Sequence, residues 1–266
     1  MKGRISSFQS MGAVDGPGLR FVAFAQGCPL RCAYCHNPET WAADGGSEFT
    51  IEQLVEKAER VRPYIKKGGF TLSGGEPLMQ PEFAAELFAA LRGRGLHTAL
   101  DTSGCFGAGE AVREVLRHTG LVICDVKFAR AGLFQKYCGG ELSRTLDFLA
   151  LTEEMRVPLW IRQVVVPSIN DAPSDARELG RIAASYSNVE KLELLPFRKL
   201  CMHKYEALGI DFPLRGVQEC GADKLRELQE AAERERRAQL QKIVEAAKEY
   251  NAVRFLSQDG ASASFS

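Results

Sequence analysis

Three cysteines, Cys28, Cys32 and Cys35, stand within eight residues in "GCPLRCAYCHNPET", and no fourth cysteine follows at ligand spacing. Thiolates are soft ligands that select zinc, copper(I) or iron–sulfur clusters. Structural zinc takes four ligands, usually from two separated knuckles, whereas this C-x3-C-x2-C run stands alone and His36 is too close to Cys35 to complete the same tetrahedron. A four-iron cubane needs four terminal ligands, so three cysteines leave one iron open, and an open coordination position is where a catalytic centre takes its substrate. The loop reads as a catalytic cluster site unless a distant cysteine closes it. Cys105, Cys124, Cys138, Cys201 and Cys220 are scattered without a framework pattern. They read as packing residues or free thiols in a reducing compartment.

Other polar residues sit where a ligand could be held. Ser73-Gly74-Gly75-Glu76 follows an apolar run, and bare glycines let the backbone approach a ligand closely; a plain turn is the simpler reading of such a tetrapeptide. Asp125 and Lys127 flank Val126, and in an extended chain both face the same way; alone, the pair is equally well a surface ion pair. Asp101-Thr102 and Arg162 end two further apolar runs. His203 taken singly reads as a packed or exposed histidine. Val14-Asp15-Gly16-Pro17-Gly18 reads as a turn or as a clamp on a partner's loop with Asp15 its charged contact.

The elements that must position these residues alternate between strand and helix. Strands are predicted over Phe21–Ala25, Phe70–Leu72, Thr98–Asp101, Leu121–Asp125, Trp160–Val166 and Lys191–Leu195, each a short apolar run of the buried kind. Between them, "TIEQLVEKAERV" offers Thr50 as N-cap with Gln53 three residues on, and Leu54, Val55, Ala58 and Val61 on one face, a capping-box pattern. "PEFAAELFAALRGRG" starts at Pro81, carries Phe83, Leu87, Phe88 and Leu91 inward and stops at Gly93/Gly95. Further helices are predicted near 109–118, 143–155 and 174–186. Such alternation argues a parallel sheet covered by helices. Six strands cannot close an eight-stranded barrel, leaving a partial barrel or a doubly wound sheet. Polar residues gathered at many strand ends favour the barrel. The expected fold class is therefore α/β, a partial (β/α)6 barrel of TIM type with outer helices.

One domain is expected over 1–256. It includes a charge-dense helical segment at 220–250, read as a solvated helix with local ion pairs. "AVRFL" at 252–256 is expected as a last short strand, and the small polar tail at 257–266 as disordered. With 34 Lys+Arg against 34 Asp+Glu, nothing points to nucleic acid or an anionic membrane as partner. No apolar signal region or bilayer-length span is visible, so a cytoplasmic protein is expected.

The C-x3-C-x-aromatic-C pattern, with Tyr34 before Cys35, resembles the signature of radical S-adenosylmethionine (SAM) enzymes. "GRISSFQSMGAVDGPGLRFVAFAQGC", "YCHNPETW", "TLSGGEPLMQPEF", "LDTSG", "DVK", "RTLDFL", "WIRQVVVP", "NVEKLELLPF" and "HKYEALG" extend the likeness from about residue 3 to 256. Together they are similar to the activases of glycyl radical enzymes, in the pyruvate formate-lyase branch. "CHNPETW" leads within ten residues to the helix at Thr50, without the ferredoxin-like insertion of several related activases. Cys220 to about Arg237 departs from the family as an inserted or lengthened helix.

The resemblance implies a [4Fe–4S] cluster on Cys28, Cys32 and Cys35, with SAM chelating the fourth iron through its amino and carboxylate groups. It implies SAM contacts from Tyr34, Cys35, His36, Gly75, Glu76, Asp125, Val126, Lys127 and His203, with His36 also near a substrate glycine. Asp101, Thr102 and Asp125 are implied to hold a monovalent cation. The implied reaction is reductive cleavage of SAM to methionine and a 5′-deoxyadenosyl radical, which takes hydrogen from a glycine Cα of a partner enzyme. The expected protein is an oxidoreductase and a monomer, with flavodoxin or ferredoxin as electron donor and a glycyl radical enzyme, formate-lyase first, as macromolecular substrate. An activase of another glycyl radical enzyme is the nearest alternative. A structural zinc protein or a simple electron carrier would leave the GGE and D-x-K motifs unexplained.

Overall fold

The structure, a computed structural model, describes residues 1–259. In chain order the strands are β1 (Lys2–Gly12), β2 (Arg20–Ala25), β3 (Ser47–Thr50), β4 (Gly69–Gly74), β5 (Thr98–Thr102), β6 (Leu121–Asp125), β7 (Leu159–Val165) and β8 (Val189–Pro196). The helices are α1 (Ile51–Arg60), α2 (Arg62–Ile65), α3 (Pro81–Gly93), α4 (Glu110–Arg117), α5 (Ala131–Cys138), α6 (Leu142–Glu154), α7 (Pro173–Ala184), α8 (Met202–Leu208) and α9 (Ala222–Asp259). They form one sheet in the order β3-β1-β2-β4-β5-β6-β7-β8. β2 and β4 to β8 are parallel. β1 and β3 are antiparallel additions at one edge.

Each of the six predicted strands is present as one of the parallel strands, within one to two residues at its ends. Each crossover advances by one strand and the order never reverses, so there is no switch point of the doubly wound kind. The sheet is an incomplete barrel. Thr50 caps α1 as its spacing predicts: its Oγ1 accepts from Gln53 N at 3.3 Å, and the Gln53 side chain accepts from Thr50 N at 2.9 Å.

Strand alternation divides the side chains between two faces. Outward, Phe70, Leu72, Leu100, Val122, Cys124, Leu159, Ile161, Leu192 and Leu194 meet the helices in the main core. Inward, a small apolar layer of Ala99, Leu121 and Ile123, with Trp160 against it, fills the lower barrel. Below this layer Arg20 is fully buried and donates to Thr71 Oγ1 (2.5 Å), the Gly68 carbonyl (2.6 Å) and the Phe70 carbonyl (2.7 Å). The turn between β1 and β2 folds against Arg20: Thr71 Oγ1 donates to the Asp15 carbonyl at 2.7 Å, and Gly16 lies against Arg20 and Ile123.

The C-terminal helix departs from expectation in two ways. Its first half is not a solvated surface helix. Leu228 and Ala232 are fully buried, and the Ala232 carbonyl comes so close to Gly180 of α7 that a Cβ there would lie 2.4 Å from it. Gln229 serves the free edge of β8, accepting from Leu194 N (2.7 Å) and donating to the Leu192 carbonyl (2.9 Å). This satisfies backbone groups that an uncovered edge would present for pairing. Second, residues 252–256 continue α9 instead of forming a strand. No sheet edge is free to receive them there, since α9 covers β8, and helix propagation from a packed first half is cooperative. Of the expected disordered tail, 257–259 also belong to α9 and 260–266 lie outside the described residues. Among the described residues no helix is long and apolar enough to cross a membrane.

Candidate functional site

The loop that carries the three cysteines leaves β2 at Gly27, whose φ of +94° lies in glycine's territory. It closes on itself through Gly27 N to the Thr40 carbonyl (2.8 Å) and Cys28 N to the Trp41 carbonyl (3.4 Å). Four distant elements hold it. Arg31 N and Ala33 N donate to the carbonyls of Cys138 and Tyr137 at the end of α5 (2.9 and 2.8 Å). The Tyr34 hydroxyl donates to the Lys127 carbonyl (3.1 Å) after β6, and the Tyr205 hydroxyl of α8 to the Cys35 carbonyl (3.1 Å). His36 Nε2 meets the Arg198 carbonyl at 3.0 Å, and Lys204 donates to Asn37 Oδ1 at 2.8 Å.

So held, Cys28, Cys32 and Cys35 line one cavity of about 310 Å³ at the C-terminal mouth of the barrel, together with Tyr34 and His36. Cys105, Cys138 and Cys201 do not line it. Burial pushes the Cys28 thiol up to about 12 and Cys35 to about 11. Contact with Cys138, then burial, holds Cys32 well above the ordinary thiol range. Thiols this reluctant to ionise become good ligands only when a metal supplies positive charge, with release of their protons. Among the described residues no three His, Cys, Asp or Glu side chains converge on a point where one metal ion could sit. The three thiols face one shared space, and cysteine thiolates are the usual terminal ligands of an iron–sulfur cluster.

Below the thiols lies a layer of charge. Asp101 is the penultimate residue of β5, Asp125 ends β6, and Arg162 of β7 sits in register beside Asp125. Arg162 donates to Asp101 Oδ1 (2.7 Å) and Asp125 Oδ1 (2.9 Å), while Lys127 Nζ donates to Asp125 Oδ2 (2.8 Å). Burial alone would raise Asp125, but Arg162 and Lys127 outweigh it and hold the carboxyl at about 2. Burial dominates at Asp101, which stays above the usual carboxylate range despite Arg162. Asp15 rises from the turn beneath, its carboxyl also pushed up by burial and by Asp101, and its Oδ2 is buried without a hydrogen-bond partner. Arg20 below acts on Asp15 as well, yet the unpartnered Asp15 Oδ2 leaves this polar floor able to accept a hydrogen bond from a donor.

The glycine motif forms another wall. Gly74 and Gly75 line the cavity. A Cβ on Gly75 would stand 2.2 Å from the Gly27 carbonyl oxygen, so only glycine lets β4 pass this close to the cysteine loop. Gly75 N donates to the Ala25 carbonyl (2.9 Å) and Glu76 N to the Gly27 carbonyl (2.8 Å).

Of the residues singled out from sequence, Asp15, Cys28, Cys32, Tyr34, Cys35, His36, Gly75, Asp101, Thr102, Asp125 and Lys127 share this cavity. Three do not. Glu76 is buried, its carboxylate accepting from Thr102 Oγ1 (2.5 Å), Ser103 N (2.9 Å), Ser103 Oγ (2.6 Å) and Leu78 N (3.2 Å). It thereby ties the end of β4 to the end of β5. Val126 is fully buried outside the lining, its carbonyl accepting from Gln163 at 2.9 Å. His203 is exposed on α8 and also outside the lining. Arg162, read from sequence as a strand-end residue, lies in the middle of β7 and is the centre of the charged layer. The end of α5 at Tyr137 and Cys138 lies along the loop at Cys32, a pairing no spacing rule would find across a hundred residues.

Soft thiols around an open space at the C-terminal mouth of an incomplete parallel barrel, above a charged floor, define a radical SAM enzyme of the iron–sulfur class. Residues 14–136 match a family model described as a 4Fe-4S single cluster domain. A radical SAM methyltransferase from Sphaerobacter thermophilus has a similar fold, with a TM-score of 0.58 at 16% identity over 83% of this chain and 64% of that one. The pyruvate formate-lyase-activating enzyme of Clostridium pasteurianum is 44% identical over 229 residues, 85% of this chain and 95% of the relative. That of Staphylococcus epidermidis is 42% identical over 226 residues, 82% of this chain and 90% of the relative. The chain belongs to the pyruvate formate-lyase-activating enzyme family.

Proposed function

We propose that this protein activates pyruvate formate-lyase by installing a glycyl radical in it. The observation that carries this reading is that the three cysteines of one loop, and none of the five others, face a single cavity. It is joined to 41–44% identity with enzymes of that name. Cys28, Cys32 and Cys35 would hold a [4Fe–4S] cluster with one open iron. The bound cluster and SAM would supply the chemistry, one electron cleaving the sulfonium to methionine and a 5′-deoxyadenosyl radical that takes hydrogen from the partner's glycine Cα.

The chain's own task is orientation and exclusion of water. Backbone groups at Gly74 and Gly75 suit the amino group of SAM, and Lys127 suits its carboxylate by charge. Tyr34 and His36, on the cysteine loop itself, line the same cavity and would contact SAM from that side. Asp15, unpartnered in the floor, suits an N–H of an extended peptide entering the open barrel. Asp101, Thr102 and Asp125 would add a monovalent cation only by sharing the carboxylates with Arg162. Glu76, Val126 and His203 are proposed to act from outside the lining, Glu76 by fixing the glycine backbone. Flavodoxin or ferredoxin would deliver the electron in the cytoplasm to a monomer.

The test is anaerobic reconstitution with iron and sulfide, then incubation with SAM, dithionite and candidate glycyl radical enzymes. Brown protein with about four irons per chain, 5′-deoxyadenosine and a glycyl doublet in electron paramagnetic resonance are expected with pyruvate formate-lyase. Colourless protein holding one zinc would sink the reading, and a doublet only with another glycyl radical enzyme would reassign the partner.

A further inference from the structure

Cys32 has a neighbour besides the cavity. The N–H groups on either side of it donate to the carbonyls of Tyr137 and Cys138, which lays the cysteine loop along the last turn of α5. The Cys138 side chain is the first influence on the Cys32 thiol, ahead of burial, and both residues belong to the same core cluster. Cys138 is fully buried and has no face on the cavity, whereas Cys32 does. Gly139, with φ of +72°, ends α5 immediately afterwards and fixes Cys138 in place. A disulfide spans Cα atoms roughly 4.4 to 6.8 Å apart, a reach suited to two residues whose backbones are tied together on both sides of Cys32.

We propose that Cys32 and Cys138 form a disulfide in the metal-free protein when peroxide enters the cavity, withholding Cys32 from cluster assembly until the bond is reduced. Hydrogen peroxide gives one oxygen to the Cys32 thiol, forming a sulfenic acid and one water. The Cys138 sulfur then attacks the Cys32 sulfur, the S–O bond breaks, and the hydroxyl leaves with the Cys138 proton as a second water. Two thiols lose two electrons and two protons, and one peroxide becomes two waters. The buried partner is the one that resolves the oxidised ligand, so the cavity stays open while one corner of the cluster site is lost. The inference uses the proposed function only in naming Cys32 a cluster ligand.

Metal-free full-length protein, reduced and desalted anaerobically, is treated with stoichiometric hydrogen peroxide, alkylated and mapped by mass spectrometry without reduction. A Cys32–Cys138 linked peptide, about 2 Da lighter than the two free peptides for the two hydrogens lost, is expected. Iron and sulfide uptake, read by absorbance near the cluster band, falls roughly tenfold and returns after dithiothreitol. Cys138→Ser and Cys138→Ala, first matched to the parent by circular dichroism, give no such linked peptide after the same treatment, and their Cys32 sulfenic acid is captured by dimedone. In the parent, Cys32 linked instead to Cys28 or Cys35, or no linked peptide at all, would overturn the proposal. Should the untreated reduced chain take up no iron, the proposed function fails, while the peptide map still decides the disulfide.

Discussion

Arg162 answers two carboxylates at once, one on each of the two preceding strands, from a side chain only 9% exposed. Removing a partner from such a buried set costs more than the set contributes, because charge is left without compensation. Arg162→Met is expected to lower stability by about 3–5 kcal/mol in urea unfolding, with Arg162→Lys losing less. Each member was visible as a polar residue in or near the end of a predicted strand. Their pairing was not, since it depends on strand order and on the register that sets Asp125 beside Arg162. His97 offers a different test. Its Nδ1 lies 3.2 Å from the Arg20 guanidinium, and burial together with that charge pushes the ring down to about 4 from an ordinary 6.5. The unfolded chain therefore binds a proton that the folded one refuses as pH falls from about 6.5 toward 4, so stability is full above this window and declines through it. Urea midpoints at pH 7.5 and 5 should show the decline, and His97→Gln should flatten it.

Elements differ in how openly the chain declares them. The parallel strands are continuous apolar runs because both of their faces are covered, and α1 carries its start signal in Thr50 and Gln53. Thr50→Ala should cost about 1 kcal/mol, seen as a lower thermal midpoint with the cluster site unchanged. β1 gave no such signal. It lies toward the sheet margin, its pairing with β2 is broken by two irregularities, and the serines, glutamine and glycines of "KGRISSFQSMG" hide its few buried positions. α5 and α8, at eight and seven residues, are too short for periodicity to stand out. Both matter to the site, since α5 supplies the carbonyls under Arg31 and Ala33 and α8 supplies Tyr205 and Lys204. The cysteine loop was legible from its own residues; the elements that grip it were legible only in three dimensions.

For the molecule as a whole, α9 is both wall and projection. Its first half shields β8 and packs on α7, while residues 241–248 are exposed all round. A chain ending at Leu240 should therefore fold, with an unchanged urea midpoint. A chain ending at Gly221 uncovers the β8 edge that Gln229 now serves and the surface around Gly180, and should be recovered mainly as aggregate in size-exclusion chromatography.

The grip on the cysteine loop also orders events during synthesis. Cys28, Cys32 and Cys35 leave the ribosome early, but the carbonyls of Tyr137 and Cys138, the Arg198 carbonyl that meets His36 and the Tyr205 hydroxyl on Cys35 leave much later. A nascent chain that has exposed its thiols has not yet built their cage. On the proposed function, the cage around these cysteines is complete only once α8 has been made, and a chain released short of it is expected to take up no cluster in anaerobic reconstitution.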